Sequence, residues 1–357
     1  MKGLCRMNML RGLRFSLNGL LGSVLIASCM VSLPLNTALP SPSATFYAAV
    51  SLPSDIPIPT QTTEPAPTQT TEPVQTSTAT LLPLIFTATP TPQPLRFAII
   101  GDYGTGGQPE ADVAALVKSW NPEFVITAGD NNYPSGSAES IDENIGQFYH
   151  EFIYPYIGQY GEGADMNRFY PSLGNHDWDS QSAEPYLDYF TLPENERYYE
   201  FTWGFLHFFA LDSDSREPDG VGRSSTQASW LRERLEASVE PWNIVYFHHA
   251  PYSSGVHGST DWMQWPFAEW GADLVMAGHD HTYERIERDE IVYLVNGLGG
   301  APIYSFGSPV EGSLVRYNDD YGALMIEANP ASLMILFVNR SGETIDVFEI
   351  IGQQFSN

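Results

Sequence analysis

Cysteine and basic residues are what this 357-residue chain has least of. Its two cysteines, Cys5 and Cys29, both lie near the N-terminus, so nothing after residue 29 can form a disulfide or a thiolate metal site. Lysine and arginine total 16 against 43 aspartates and glutamates, a formal net charge of −27, and nearly all of that acidity follows residue 95. A globular region this acidic repels polyphosphate backbones, which disfavours nucleic-acid binding. It repels phosphate-bearing small molecules too, unless bound cations reverse the local field.

The few early charges are informative. Lys2, Arg6, Arg11 and Arg14 precede an apolar stretch from Leu17 to Leu35, so residues 1–35 read as an export signal. Ile26-Ala27-Ser28-Cys29 resembles a bacterial lipoprotein box, with ordinary secretory cleavage and an uncleaved anchor as the other outcomes. Any membrane attachment is therefore expected through the N-terminus alone. Residues 36–94 read as a linker: Thr60-Gln61-Thr62-Thr63-Glu64-Pro65 recurs as Thr68-Gln69-Thr70-Thr71-Glu72-Pro73. Such Pro/Thr tracts carry too little apolar surface to build a core and are expected to stay extended, as a stalk.

Residues 95–351 read as one layered α/β domain. Apolar spacing predicts helices over 108–120, 140–156 and 225–238, the last capped at Ser224 or Ser225. Arg197 to Asp212 predicts a hairpin bent at Gly204. The tail predicts strands from Ile291, Tyr321, Ser332 and Thr344, antiparallel and completing a second sheet. The expected architecture is two sheets face to face with helices outside.

Five apolar segments end in the same kind of residue. Ile99-Ile100-Gly101-Asp102-Tyr103-Gly104 is followed by Val125-Ile126-Thr127-Ala128-Gly129-Asp130-Asn131-Asn132-Tyr133, then by Leu173-Gly174-Asn175-His176-Asp177. Ile244-Val245-Tyr246-Phe247-His248-His249 ends in paired histidines, and Met276-Ala277-Gly278-His279-Asp280-His281 closes the series. Ligand sites of α/β sheets lie at such strand ends. Asp, Asn and His form a hard-to-borderline donor set without thiolate, and there are more donors than one ion needs.

In this order the motifs resemble the calcineurin-like metallophosphoesterase superfamily, over Phe97 to about Pro302. That resemblance implies a four-layer αββα sandwich of two mixed sheets. Most of the superfamily has Asp-x-His at the first motif, whereas this chain has Gly104 there, with Tyr133 three residues after Asp130. That pairing is similar to the purple acid phosphatase branch, of the small single-domain kind. The resemblance implies a ferric ion held by Asp102, Asp130, Tyr133 and His281, and a divalent ion (Fe, Zn or Mn) held by Asp130, Asn175, His279 and either His248 or His249. Spacing from Val245 allows His248; the His-x-Pro spacing to Pro251 resembles the family pattern and favours His249.

The implied activity is hydrolysis of phosphate monoesters, because two ions about 3.5–4 Å apart can activate a hydroxide and stabilise both oxygens of an in-line displacement. His176 and His257 resemble the family's acid or phosphate-contacting histidines, and Asp177 is expected to hold His176. The alternative is a metal-dependent phosphodiesterase or nucleotidase with two divalent ions. Other polar residues read as structural: His150, His207, and Asp212 with Asp214 capping a loop. Gly297 to Pro302 lacks the lysine of a phosphate-cradling loop and is expected to close over the metal centre. Tyr252, Trp262, Trp265 and Trp270 fit either a substrate pocket or core packing.

Overall fold

The computed structural model describes residues 94–352. The expectations for residues 1–93, an export signal carrying Cys5 and Cys29 and a Pro/Thr-rich linker, lie outside the described residues. Among the described residues thirteen strands follow in chain order: β1 (Leu95–Ile100), β2 (Phe124–Thr127), β3 (Phe169–Pro171), β4 (Tyr199–Trp203), β5 (Leu206–Ala210), β6 (Trp242–His249), β7 (Leu274–Gly278), β8 (Tyr283–Arg288), β9 (Ile291–Asn296), β10 (Ser313–Tyr317), β11 (Gly322–Asn329), β12 (Ser332–Asn339) and β13 (Thr344–Ile351). They form a six-stranded sheet in the order β13-β12-β11-β1-β2-β3 and a seven-stranded sheet in the order β10-β8-β9-β7-β6-β5-β4. Both sheets are mixed: the first is parallel on one side (β1-β2-β3) and antiparallel on the other (β11-β12-β13), and the second has a parallel middle (β5-β6-β7-β9) between antiparallel margins. The architecture is the expected αββα sandwich.

The tail needs a correction. β11, β12 and β13 do not build the second sheet; they extend the first, β11 lying antiparallel to β1 with Phe97 opposite Ile326. The reason is packing. Ile326, Leu324, Ile335 and Phe337 are fully buried in the same core as Phe97 and Ile99.

The sheets meet through aromatic side chains. Phe97 stacks on Phe124 at 5.0 Å, and Phe208 of the opposite sheet meets both edge-on. Trp242 donates its indole N–H across to the Asn329 carbonyl. Burying a side chain of this size is worth about 1.5–3 kcal/mol. Central strands are buried on both faces, as parallel strands between two layers require. On β6, Trp242, Ile244 and Tyr246 face the inter-sheet core, while Val245 and Phe247 face a second core containing Leu231, Leu235 and Phe267.

Two helices match expectation closely, Gln108–Ser119 and Thr226–Ala237, with the Ser225 hydroxyl accepting from the Ala228 N–H at the latter's start. The helix expected over 140–156 is shorter and irregular: Asp142–Gly146 is a π-helical turn, Gln147–Tyr149 continues it, and His150–Phe152 is 3-10. It stops at Ile153, which is extended two residues before Pro155. The hairpin at Gly204 is as expected, with that glycine at φ 62°.

Parallel strands place all their carboxyl ends at one edge. β1 and β2 deliver their loops beside those of β6 and β7, and the candidate ligands follow those ends.

One buried acid gives a test of the strand starts. Asp273 receives the Asn243 N–H at 2.8 Å where β6 and β7 begin, and burial pushes its carboxyl up to about 6. A raised carboxyl favours the fold below its unfolded value of 3.8, and that contribution is lost as pH rises through about 6. Asp273→Asn should therefore add on the order of 2 kcal/mol above pH 7, with no gain at pH 4, measured by denaturant unfolding at both pH values.

Candidate metal centre

The loops leaving β1, β2 and β7 turn sharply. Asp102, Asp130 and His279 have φ of 52°, 52° and 72°, left-handed conformations that cost a non-glycine residue about 1–3 kcal/mol and cluster at functional sites. The turns aim three side chains inward from two sheets. Gly104 shows why the first motif lacks a third ligand: a Cβ there would overlap the Asn131 carbonyl, while its own carbonyl takes the Tyr133 N–H at 2.7 Å. The backbone of the first motif thus docks the second, and Tyr133 occupies the space.

Two groups of donor atoms result, sharing one oxygen. In the first, the Tyr133 hydroxyl lies 3.3 Å from Asp102 Oδ1, 3.0 Å from Asp130 Oδ2 and 3.2 Å from His281 Nε2. His281 Nε2 is 3.4 Å from Asp102 Oδ1. In the second, His248 Nε2 lies 3.1 Å from Asn175 Oδ1, 3.1 Å from His279 Nδ1 and 3.3 Å from the same Asp130 Oδ2.

Counting protons tests whether these donors fit cations. His281 Nδ1 is 2.6 Å from the Pro302 carbonyl and His248 Nδ1 is 2.9 Å from the Ala128 carbonyl. A carbonyl only accepts, so each Nδ1 carries the hydrogen and, in the neutral ring, each Nε2 turns a lone pair into the site. The Tyr133 hydroxyl has one proton for three neighbours. Lone pairs and carboxylate oxygens therefore converge at hydrogen-bond distance with too few protons between them, which a buried site tolerates only around positive charge. The titration directions report the same demand for positive charge, met here by a proton drawn onto His248. Burial lowers the His248 imidazole, but Asp130 and then Asp102 outweigh it and hold it at about 10. Burial raises Asp130, and His248 followed by His176 outweigh it, leaving the carboxyl well below its usual range. Tyr133 is driven up by burial and by Asp102 and Asp130, so its phenolate needs a cation beside it. The donor set fits a dinuclear site of hard, oxygen-rich character.

The structure brings together all the residues named from the sequence, with unequal roles for the paired histidines. His248 is fully buried between Asp130, Asn175 and His279. His249 turns its Nδ1 to the Ser213 hydroxyl at 2.9 Å, although its ring still lies 4.5 Å from that of His279 and the three imidazoles can approach one ion. Burial and then His248 pull the His249 imidazole down to about 3.

His176 stands at the mouth, its Nδ1 2.5 Å from the Pro134 carbonyl and its Nε2 3.9 Å from Asp130 Oδ2. Asp177 does not hold it. That carboxylate points inward and accepts from the N–H and side-chain amide of Asn131 and from the Gly174 N–H, tying the second motif to the third. His257 is exposed and stacks on His279 at 4.2 Å. The 297–302 loop closes over the site, Ala301 donating to the Asp102 carbonyl.

The remaining polar residues are elsewhere occupied. His150 bonds the Gly146 carbonyl, His207 bonds Ser238 and Glu200, Asp212 takes the Trp178 indole N–H, and Asp214 pairs with Arg216. Trp265 is core, whereas Trp262 is 45% exposed near His249. Three contributors carried no motif: Tyr304, stacked on His281 at 4.0 Å; Ser213; and Arg216, whose guanidinium holds the Asn175 carbonyl at 2.8 Å.

Residues 95–283 match the model of the calcineurin-like phosphoesterase family. The chain is similar to mouse (Mus musculus) tartrate-resistant acid phosphatase type 5, 25% identical over 312 residues that cover 74% of this chain and 92% of that protein. Among solved structures it is similar in fold to GAP50, the anchor in the inner membrane complex of Plasmodium, with TM-score 0.59 and 20% identity over 74% of this chain and 90% of that one. It is likewise similar to purple acid phosphatase PPD1 from yellow lupin (Lupinus luteus) seeds, with TM-score 0.57 and 19% identity over 72% and 53% of the two chains.

The unequal placement of the paired histidines predicts unequal variants. His248→Ala should lose bound metal and well over about 10²-fold in activity, while His249→Ala should keep its metal and lose about 10- to 100-fold, as expected for an outer partner. Elemental analysis beside kinetics checks both, and metal loss only in His249→Ala would reverse the assignment.

Proposed function

Since the chain belongs to the calcineurin-like phosphoesterase family, we propose that it is an exported dinuclear-metal phosphomonoesterase of the acid phosphatase type. One observation carries the reading: two groups of donor atoms, each short of protons, share Asp130 Oδ2. Asp102, Asp130, Tyr133 and His281 would hold a ferric ion, and Asp130, Asn175, His248 and His279 a divalent one (Fe, Zn or Mn). A phenolate suits a trivalent ion and a neutral amide oxygen a divalent one. When bound, the pair supplies a water-derived nucleophile at low pH and neutralises the phosphoryl charge.

The chain's own residues do the rest. Asp130, fixed by the His176 N–H at 2.9 Å on its other oxygen, sets the spacing of the two sites. His176 has its Nδ1 hydrogen committed to the Pro134 carbonyl, so Nε2 faces the site and donates to a phosphoryl oxygen only from the doubly protonated ring. His257, on the exposed rim, is placed to give the departing alkoxide its proton, a contribution of about 10²–10⁴-fold. Substrates are small phosphorylated molecules: the net charge of −27 repels nucleic acid, and only the cation-loaded centre attracts phosphate. The basic N-terminus, apolar run and Pro/Thr tract support export, with the domain held at the cell surface or released outside. Among the described residues, no helix is long and apolar enough to cross a membrane.

The purified full chain should hydrolyse phosphate monoesters far faster than diesters, and Asp130→Ala should abolish both turnover and metal binding. A clear preference for diesters would favour the phosphodiesterase or nucleotidase reading. Full turnover with both metals retained in Asp130→Ala would refute the ligand assignment.

A further inference from the structure

The tetrapeptide Gly278-His279-Asp280-His281 contains one polar side chain that neither donor group uses. Asp280 is fully buried, between two ligand histidines, and points away from the donor atoms. Its carboxylate receives the Ser253 hydroxyl at 2.5 Å, the His257 N–H at 2.8 Å and the Gly258 N–H at 3.2 Å. The Ser253 hydroxyl in turn takes the Gly255 N–H at 3.0 Å. Gly255 must be glycine, since a Cβ there would overlap the Asp280 carboxylate.

All these contacts belong to one loop, 253–258, whose tip carries His257. A second buried carboxylate, Glu284 on β8, grips the loop's base: it accepts the Ser254 N–H at 2.7 Å and the Ser254 hydroxyl at 2.5 Å. Carboxylates suit the task because they only accept, through two oxygens, and such charge-assisted bonds are the strong ones. Burying a carboxylate is costly unless several donors reach it, so the loop and the acid order one another. Without these bonds, a glycine-flanked loop with an exposed tip would be free to carry His257 away from His279.

We infer that Asp280, with Ser253 as its relay, is a positioning residue for His257, fastening the proton-donating loop to the same turn that carries His279 and His281. The inference rests on the role proposed above for His257. It couples two functions through a rigid connection: the turn that presents two ligands also sets where the acid stands.

The test is a double-mutant cycle in the holoenzyme. Asp280→Asn keeps the shape but replaces one accepting oxygen with a donor; Ser253→Ala leaves the carboxylate in place and removes the relay. Each should lower kcat by between about 10- and 150-fold, the range of a charged hydrogen bond, with KM nearly unchanged and metal content intact. Amide hydrogen exchange at His257 and Gly258 should quicken by about 10-fold or more while strand amides are unaffected. Neither variant should lose further activity in a His257→Ala background. Additive losses in that background, or unaltered exchange at the two amides, would overturn the inference. Metal loss in Ser253→Ala, where Asp280 is untouched, would do so too. If His257→Ala alone kept full activity, the role of His257 would fall and the inference with it; a damaged His257→Ala with additive partners overturns the inference only.

Discussion

Asp130 Oδ2 is the atom on which the rest of the structure depends. Its residue is buried, it stands 3.0 Å from a phenol and 3.3 Å from an imidazole, and it belongs to both donor groups. A buried carboxylate in a chain of net charge −27 is a standing electrostatic problem. Its immediate relief is the proton on His248, whose affinity Asp130 raises. Cations relieve it better, because they satisfy the Tyr133, His281 and Asn175 donors together. The fold supplies the geometry: parallel strands from two facing sheets end at one edge, and left-handed turns at Asp102, Asp130 and His279 bend side chains from both sheets into the gap. The strain in those turns is held by a tightly packed inter-sheet core, in which Phe97, Phe124 and Phe208 interlock.

Around this centre lies a ring of hydrogen-bonding groups that settle tautomers and angles. Carbonyls at Ala128 and Pro302 fix the ring hydrogens of His248 and His281. Asp177 and Asn131 lock the second motif to the third, and Arg216 steadies Asn175 from outside. Asp280 and Glu284 extend the same scheme to the rim. On the proposed function, a chain of net charge −27 would repel polyanions and a metal-loaded centre would be where phosphate gains. That division explains how so acidic a chain can serve a phosphorylated substrate.

Much of this was legible in the sequence, because strand-end motifs are local. Apolar runs closed by Gly-Asp, Gly-Asn-His-Asp and Gly-His-x-His name both the element and the donor, and the ligand candidates do converge. For His248 against His249 the sequence also carries a rule of alternation, which favours His248. Trp242, Ile244 and Tyr246 face the opposite sheet, and His248 continues that parity. Family-like spacing to Pro251 pointed the other way. Sheet membership was not legible. β11 pairs with β1 across more than 200 residues of chain, and periodicity fixes which face is apolar without naming the neighbour. β8 escaped because its Glu284, Arg285, Glu287 and Arg288 look like solvent-exposed loop, although Glu284 is buried under the 253–258 loop. Asp177 shows the limit of adjacency: beside His176 in sequence, it faces the interior, where unpaired N–H groups needed an acceptor.

The most direct test of the dinuclear centre is metal content with a visible spectrum on the purified protein, wild type and Tyr133→Phe. The account predicts iron plus a second metal, and a phenolate-to-iron charge-transfer band that disappears in Tyr133→Phe while the carboxylate and imidazole ligands still retain metal. Two divalent ions without colour, or a band unchanged in Tyr133→Phe, would contradict it.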